Sequence, residues 1–508
     1  AAVPYRLPPV DLLDIIPAAK LKPVRVDDET TAKILVATLS EFGIDAEVEN
    51  VVSGPVVTRY ELLPAPGVRV ERISGLSNNL ALSLKATSVR VQAPIPGKGV
   101  VGIEVPNPSS QVVFLRQILE GEAWRSCKAH LPLILGKDVG GKDLIADLAD
   151  MPHLLIAGAT GTGKTVCMNS ILAGLLMGRT PEQLRLLLVD PKIVEFSFYN
   201  DLPHLVAPVI TDPKKVALSL RWAINEMDSR YKLFAKAGVR NIESYNRREV
   251  AEQGDFFGKT EDGKKKSPPA RLPYIVVVID ELADLMQADQ ADIESGIARL
   301  AQLSRAVGIH MILSTQRPSV NVITGTIKAN FPARIAFQVA QKVDSRTILD
   351  TVGADALLGR GDMLFLPPGS SKLVRAQGAL ASDGEMRRVV DFIREQAEPS
   401  YELTIKDKPD GEDSEGTSQE PEDDELLAQS IEIIRQDRRA STSLLQRRMR
   451  IGYTRAARIM DVLEDRGILG PPRGVEPREI LIDLDAGVPD NEESEEDVQE
   501  PDEREAVE

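Results

Sequence analysis

Aromatic side chains are scarce in this chain, 4% of 508 residues, so aliphatic residues must fill its cores. Cysteine is scarcer. Cys127 and Cys167 stand far apart without metal-ligand spacing, which excludes a disulfide framework and supports no zinc site. That usage fits a reducing, cytoplasmic setting. Long apolar runs are missing too: none approaches the ~18 residues that cross a bilayer. The opening AAVPYRLPPV lacks the charged-then-apolar order of a signal peptide. The chain therefore reads as soluble, and its start at Ala rather than Met suggests a piece of something longer.

What is present is ordinary for globular domains, with 43% hydrophobic and 27% charged residues. The length implies about three domains. The formal charge of -16 is not spread evenly along the chain. Residues 407–425 carry -9 and residues 488–508 carry -10, which leaves about +3 for everything else. The stretch KDKPDGEDSEGTSQEPEDDE (406–425) is nearly free of apolar residues, so it cannot bury enough surface to fold and reads as a flexible linker. The tail has the same character. These boundaries divide the chain into a small α/β domain (1–120), a nucleotide-binding domain (121–400), an acidic linker (401–425), a compact segment (426–487) and an acidic tail (488–508). No internal repeat is present.

Short alternating runs such as VVTRYELL (56–63) and VRVQAPI (89–95), separated by Pro and Gly turns, predict strands in the first domain. Beyond residue 130, helical patterns alternate with the runs HLLIAG (153–158), LRLLLVD (184–190), YIVVVIDE (274–281), IHMILSTQ (309–316) and ARIAFQV (333–339). That alternation predicts a parallel sheet covered by helices, an α/β fold.

The strongest motif is GATGTGKT, Gly158 to Thr165, lying between an apolar strand and a helix as GxxxxGK[ST] requires. Gly158, Ala159, Thr160, Gly161, Thr162, Gly163 and Val166 would present backbone N–H groups to phosphates. Lys164 would reach the β- and γ-phosphates of ATP, and Thr165 would ligate Mg²⁺. The run YIVVVIDE holds five consecutive β-branched residues, a strand covered on both faces, and ends in Asp280 and Glu281. Asp280 is expected to hold the metal through water, and Glu281 to orient and deprotonate the attacking water. Gln316, at the end of IHMILSTQ, would sense the γ-phosphate. Ring-shaped motors also borrow an arginine from a neighbouring subunit, and Arg305, Arg334 and Arg346 are eligible, with Arg305 taken as the candidate catalytic residue.

Between Arg438 and Arg458 stand seven arginines and no acid, RRASTSLLQRRMRIGYTRAAR. Ser443 is expected to cap one helix and Thr454 a second, with Gly452 between them and Gly467 stopping the second, a helix-turn-helix. The run ILGPPRGVEPREILID then reads as a β-wing. In such a module the start of the second helix meets base edges, so Thr454, Arg455 and Arg458 would read sequence, with a preference for guanine. Arg447, Arg448, Arg450 and Arg473 would hold phosphates.

These segments resemble the FtsK/SpoIIIE family of DNA translocases over nearly the whole chain. Beyond the nucleotide motifs, the resemblance rests on GPVVTRYEL (54–62), VDPK (189–192), LPHLVAPVITD (202–212), STQRPSV (314–320), LLGRGDMLFLP (357–367) and SLLQRRMRIGYTRAAR (443–458). It implies a RecA-like motor domain with an N-terminal α subdomain, assembled as a hexameric ring around duplex DNA. It further implies a C-terminal γ winged helix that sets the direction of movement, and a role in chromosome segregation at division or sporulation. Recombinase and cell-division proteins would be partners. Membrane-spanning helices precede the motor in that family, so this chain would be the cytoplasmic portion of a protein anchored in the bacterial inner membrane. Phe196 and Phe198 depart from the family's aliphatic pattern, as does the polar insert at 252–269; neither touches the nucleotide motifs, so they bear on detail at the channel or subunit surface rather than on activity. Two other readings compete. A secretion or conjugation ATPase is disfavoured by the winged helix, and a DNA-binding regulator using ATP as a switch is disfavoured by Glu281.

Overall fold

The computed structural model describes residues 5–17, 27–95, 97–248, 269–370, 372–402, 421–449, 451–465, 467–470 and 477–481. They fall in two compact units, Ala1–Lys406 and Asp407–Glu508.

In the first unit, β1 (Ala46–Ser53), β2 (Val57–Pro64), β3 (Arg90–Gln92) and β4 (Val101–Pro106) make an antiparallel sheet in the order β1-β2-β4-β3. Helix Asp28–Glu41 lays Leu35 and Leu39 against Tyr60, Leu62 and Ile103 of that sheet. Asp27 caps the helix by accepting from Thr30 N–H.

Ten strands form the second sheet: β5 (Val113–Phe114), β6 (Pro132–Asp138), β7 (Asp143–Asp147), β8 (His153–Ala157), β9 (Leu184–Val189), β10 (Tyr274–Ile279), β11 (Ile309–Thr315), β12 (Ala333–Phe337), β13 (Asp362–Leu366) and β14 (Val374–Leu380). Its main path runs β7-β6-β14-β13-β12-β8-β11-β10-β9, with β5 alongside β14. The strands β12, β8, β11, β10 and β9 are parallel, and they are the five apolar runs read from the sequence. The other half corrects that reading, because β6, β7, β13 and β14 pair antiparallel. Helix Lys164–Gly178 is apolar around its whole circumference and buried from Cys167 to Met177, as a core helix must be.

Val113, Leu115, Ile118 and Leu119 pack into this larger core, as does Leu13, so the segment just before residue 120 belongs with the ten-stranded sheet and not with the small one. The two sheets are joined by buried charge. Arg375 donates bidentately to Asp362 at 3.0 and 2.7 Å and to Glu104 of β4 at 2.9 Å, while Arg90 donates to the same Glu104 oxygen at 3.1 Å. Arg375 is 5% and Glu104 1% exposed. Burial alone would push the Glu104 carboxyl up, but Arg90 and Arg375 outweigh it and hold it below the usual carboxylate range. Removing one partner strands a buried charge, so Arg375→Ala is expected to cost about 3–5 kcal/mol, read from the urea midpoint. A loss under about 1 kcal/mol would mean that the pair does not hold the sheets together.

The second unit packs helices Pro421–Asp437, Thr442–Met449 and Tyr453–Asp465 around Leu427, Ile434, Leu445, Ala456, Met460 and Leu463. Bridges Ala440↔Arg478 and Leu469↔Ile480 make the wing. Two boundaries differ from the expected ones. The first helix begins inside the stretch read as linker, where Pro421 and the acids after it suit a helix N-terminus. The caps also differ, because Leu444 N–H donates to Ser441 Oγ at 3.3 Å and Ala456 N–H to the Gly452 carbonyl. Ser441 and Gly452 thus stand where Ser443 and Thr454 were expected. Gly467, at φ +69°, stops the helix Tyr453–Asp465 as foreseen. Among the described residues, no helix is long and apolar enough to cross a membrane.

Candidate active site

Parallel strands deliver their C-terminal ends to one edge of the sheet, where a P-loop fold binds its ligand. Four loops meet there, after β8, β9, β10 and β11. The loop after β8 is the glycine motif. Gly163 has φ +115°, and a Cβ there would come within 2.6 Å of Gly361 N, so only glycine fits. The same loop is tied to the start of β13 by Gly361 N–H donating to the Thr162 carbonyl at 2.7 Å.

Lys164 opens the helix that follows and is 3% exposed. Its Nζ donates to the Asp280 carbonyl at 2.9 Å and to Asp280 Oδ1 at 3.2 Å. Asp280 is also buried, and burial raises its carboxyl above the ordinary range despite Lys164. Its other oxygen, Oδ2, has no hydrogen-bond partner among the described residues. A buried carboxylate oxygen left open after β10 and the Thr165 hydroxyl in the first turn of the helix Lys164–Gly178 are oxygen donors of the kind that suits a hard divalent cation. Thr165 Oγ1 presently donates to Glu195 Oε1 at 3.0 Å, and burial pushes the Glu195 carboxyl up.

Glu281 is fully buried. Thr315 Oγ1 donates to its Oε1 at 2.6 Å, Lys192 Nζ to Oε2 at 3.2 Å, and Gln316 N–H reaches both oxygens at 3.2 and 3.1 Å. Burial alone would raise its carboxyl, but these donors and Lys164 bring it below the usual value. The Gln316 side chain accepts from Thr160 Oγ1 at 2.7 Å, joining the strand between β8 and β10 to the glycine loop.

The structure places Lys164, Thr165, Asp280, Glu281 and Gln316, all singled out from the sequence, at this one sheet edge. It also contains residues that the motif reading passed over. Asp190, at the end of β9, accepts from Val194, Glu195 and Phe196 N–H at 2.9 to 3.0 Å and so shapes the loop that carries Lys192 and Glu195. The available signal was position: VDPK ends a buried strand at the same sheet edge as the Asp280–Glu281 pair and Gln316. A cavity of about 400 Å³ adjoins Gly161, Gly163 and Val166, with Val56, Val112, Leu358 and Leu380 as its apolar lining.

The candidate arginines separate. Arg305 is exposed in the turn Ser304–Val307 before β11, at the opposite end of the strand from Gln316 and so roughly 20 Å away. It cannot act on a nucleotide in its own chain. Arg334 is committed within its chain, donating to the Phe331, Ile348 and Lys328 carbonyls and to Asp350. Arg346 is exposed on the helix Lys342–Leu349, which follows β12 on the glycine-loop edge. Phe196 is fully buried and meets Tyr199 edge to face, and Phe198 packs against the same ring, so these departures serve the core and not a surface. Of the insert 252–269, all but Pro269 lies outside the described residues.

In the second unit, Thr454, Arg455 and Arg458 belong to the helix Tyr453–Asp465. Arg447 Nε donates to the Ser443 carbonyl at 3.2 Å, and Arg448 pairs with Asp437 at 2.8 Å. Arg450 and Arg473 lie outside the described residues. Arg478 is a fixture of the module, binding Asp461 and Glu464 and so pinning the wing to the second helix.

Three family models match the chain: the FtsK alpha domain over residues 7–107, the FtsK/SpoIIIE family over 114–320 and the Ftsk gamma domain over 421–483. DNA translocase FtsK of Clostridium acetobutylicum is 50% identical over 95% of this chain and 61% of its own length. DNA translocase SpoIIIE of Bacillus subtilis is 47% identical over 94% of this chain and 59% of its own. The chain thus spans about three fifths of the curated relatives it matches. Among solved structures, the pCW3 conjugation coupling protein TcpA is similar with a TM-score of 0.47 and 23% identity, over 70% of this chain and 96% of that one. With the three models laid end to end on a P-loop motor fold and a winged helix, the chain belongs to the FtsK/SpoIIIE family.

Proposed function

We propose that this chain is the cytoplasmic motor portion of an ATP-hydrolysing translocase that moves along double-stranded DNA. The observation that carries the reading is the convergence of the glycine loop, the Lys164–Asp280 pair and the buried Glu281 at one sheet edge. Phosphates would lie against backbone N–H groups from Gly158 to Val166, with the nucleoside in the neighbouring cavity. Lys164 would exchange Asp280 for the phosphates. Thr165 and Asp280 would hold Mg²⁺, which supplies neutralisation of charge on the β- and γ-oxygens. Glu281 orients and deprotonates the attacking water, and Gln316 relays the loss of the γ-phosphate through Thr160.

Assembly as a hexameric ring around the duplex would bring an arginine from the neighbour to this site. Arg305 is the candidate, with Arg346 as the alternative, since both are exposed. Mixing Lys164→Ala chains with Arg305→Ala chains should restore activity above either alone, because one intact site then forms in trans. Mixtures no more active than their separate components would remove Arg305.

The C-terminal module reads DNA in this proposal and biases where and in which orientation the ring loads. Arg455→Ala or Arg458→Ala should relax preference at one base pair, at about 1–3 kcal/mol each. Neutralising Arg447 or Arg448 should instead weaken binding to all duplexes alike and lower the salt slope by roughly one unit per contact. Binding to a random duplex and to a selected best site at two salt concentrations separates the two. Equal proportional losses for Arg455→Ala and Arg447→Ala would refute the division. In the cell the motor would act in chromosome segregation at division or sporulation, with recombinase or cell-division partners and a membrane anchor supplied by an N-terminal region outside this chain. The first test is ATPase activity against the length of linear duplex: the motor reading expects a rise, and a flat response argues for a nucleotide switch.

A further inference from the structure

A general base must accept a proton from water, and here Glu281 has no room to do so. Its carboxylate is fully buried, and a carboxylate offers about four acceptor sites. Thr315 Oγ1, Lys192 Nζ and Gln316 N–H occupy both oxygens, and Ala283 N–H adds a contact at 3.3 Å. Each is a bond to a charged acceptor, the stronger class of hydrogen bond.

Two of these donors are side chains, and each has a second partner: the Thr315 hydroxyl accepts from Arg317 N–H at 3.1 Å, and Lys192 lies 3.6 Å from Asp284. Thr315 points its hydroxyl at the carboxylate from the end of β11, and Lys192 reaches it from the loop after β9. That loop is built to hold its shape. Asp190 fastens it through four N–H groups, that of Lys192 among them, and Ile193 is held at φ +57°, a conformation that a β-branched residue adopts only under constraint. Ile193 and Val194 are nevertheless 64% and 65% exposed, so the loop's tip is accessible to a partner outside the fold.

We propose that Lys192 and Thr315 are positioning residues that latch Glu281 in a resting conformation, and that engagement of DNA speeds hydrolysis by releasing this latch. The proposal rests on the reading of the chain as a DNA-driven motor. Without duplex, Glu281 stays bound to its four donors and turnover is slow. With duplex, movement of the loop withdraws Lys192, and the carboxylate turns toward the attacking water.

The test uses the whole chain at saturating ATP, with and without linear duplex, for Lys192→Gln and Thr315→Val. Lys192 is 37% exposed, so its replacement is tolerated by the fold and its grip is partly screened by solvent. DNA-free kcat is expected to rise about threefold for Lys192→Gln and about tenfold for Thr315→Val. The KM for ATP should not move, and kcat at saturating DNA should stay within about twofold of the parent, so the stimulation ratio falls. Lys192→Arg keeps the charged donor that Lys192→Gln replaces with a neutral amide, and Thr315→Ser keeps the hydroxyl, so both should restore the low DNA-free rate. A DNA-free kcat at or below the parent's in both Lys192→Gln and Thr315→Val overturns the latch. Absence of DNA stimulation in the parent would instead count against the motor reading, and the DNA-free rates alone would then decide the latch.

Discussion

Glu281→Gln is expected to bind ATP with near-parent affinity and to hydrolyse it about 10²–10⁴-fold more slowly. The amide has the shape of the carboxylate but cannot take the water's proton. Affinity is spared because the phosphate-facing groups, Lys164 and the N–H groups of Gly158 to Val166, are not touched. The substitution also leaves Asp280 in place, so the expected metal site survives. Thr315 and Gln316 can still donate to the remaining carbonyl oxygen, whereas an amide nitrogen facing Lys192 loses its attraction, a local change next to a residue that is 37% exposed. Single-turnover hydrolysis beside equilibrium ATP binding reads the two effects apart. Turnover within about threefold of the parent would take Glu281 out of the chemistry.

Lys164→Ala acts on the other half of the site and should abolish ATP binding or turnover. The ammonium is 3% exposed and is the cation paired with Asp280, whose Oδ2 already lacks a partner. Without it, burial acts on the Asp280 carboxyl with no neighbouring ammonium to offset it and raises it further, which weakens its hold on a cation. The glycine loop also loses its one side-chain reach toward the β- and γ-phosphates. DNA binding should persist with an unchanged salt slope, because the arginine-rich helices lie in a separate compact unit. Duplex binding by the intact Lys164→Ala chain, measured at two salt concentrations, tests this. Loss of DNA binding together with ATP binding would mean that the two units do not work independently.

The site was legible where chemistry imposes a pattern on neighbouring residues. A phosphate cradle needs glycines at fixed spacing before a helix, and a buried parallel strand needs an unbroken β-branched run, so Gly158–Thr165 and Ile275–Glu281 declared themselves. Residues recruited across the sheet edge did not. Lys192 and Thr315 meet Glu281 because β9, β10 and β11 end at one level, which no spacing in the chain encodes. The antiparallel half of the sheet escaped for a related reason. In β14, VRAQGAL, polar residues and a glycine interrupt the apolar pattern, and Arg375 is buried only because Asp362 and Glu104 arrive from other strands. In the C-terminal module the helix pair and wing followed from turn residues, while the first cap shifted by two residues because Ser441 and Ser443 are chemically alike.

Movement along the duplex is the central claim, and displacement of a third strand tests it most directly. A triplex-forming oligonucleotide is placed at increasing distances from a loading end, and its release is followed after ATP is added. The account predicts release that needs ATP, is absent in Glu281→Gln, and lags in proportion to the distance. Release independent of distance, or ATP turnover with the third strand left in place, would contradict it.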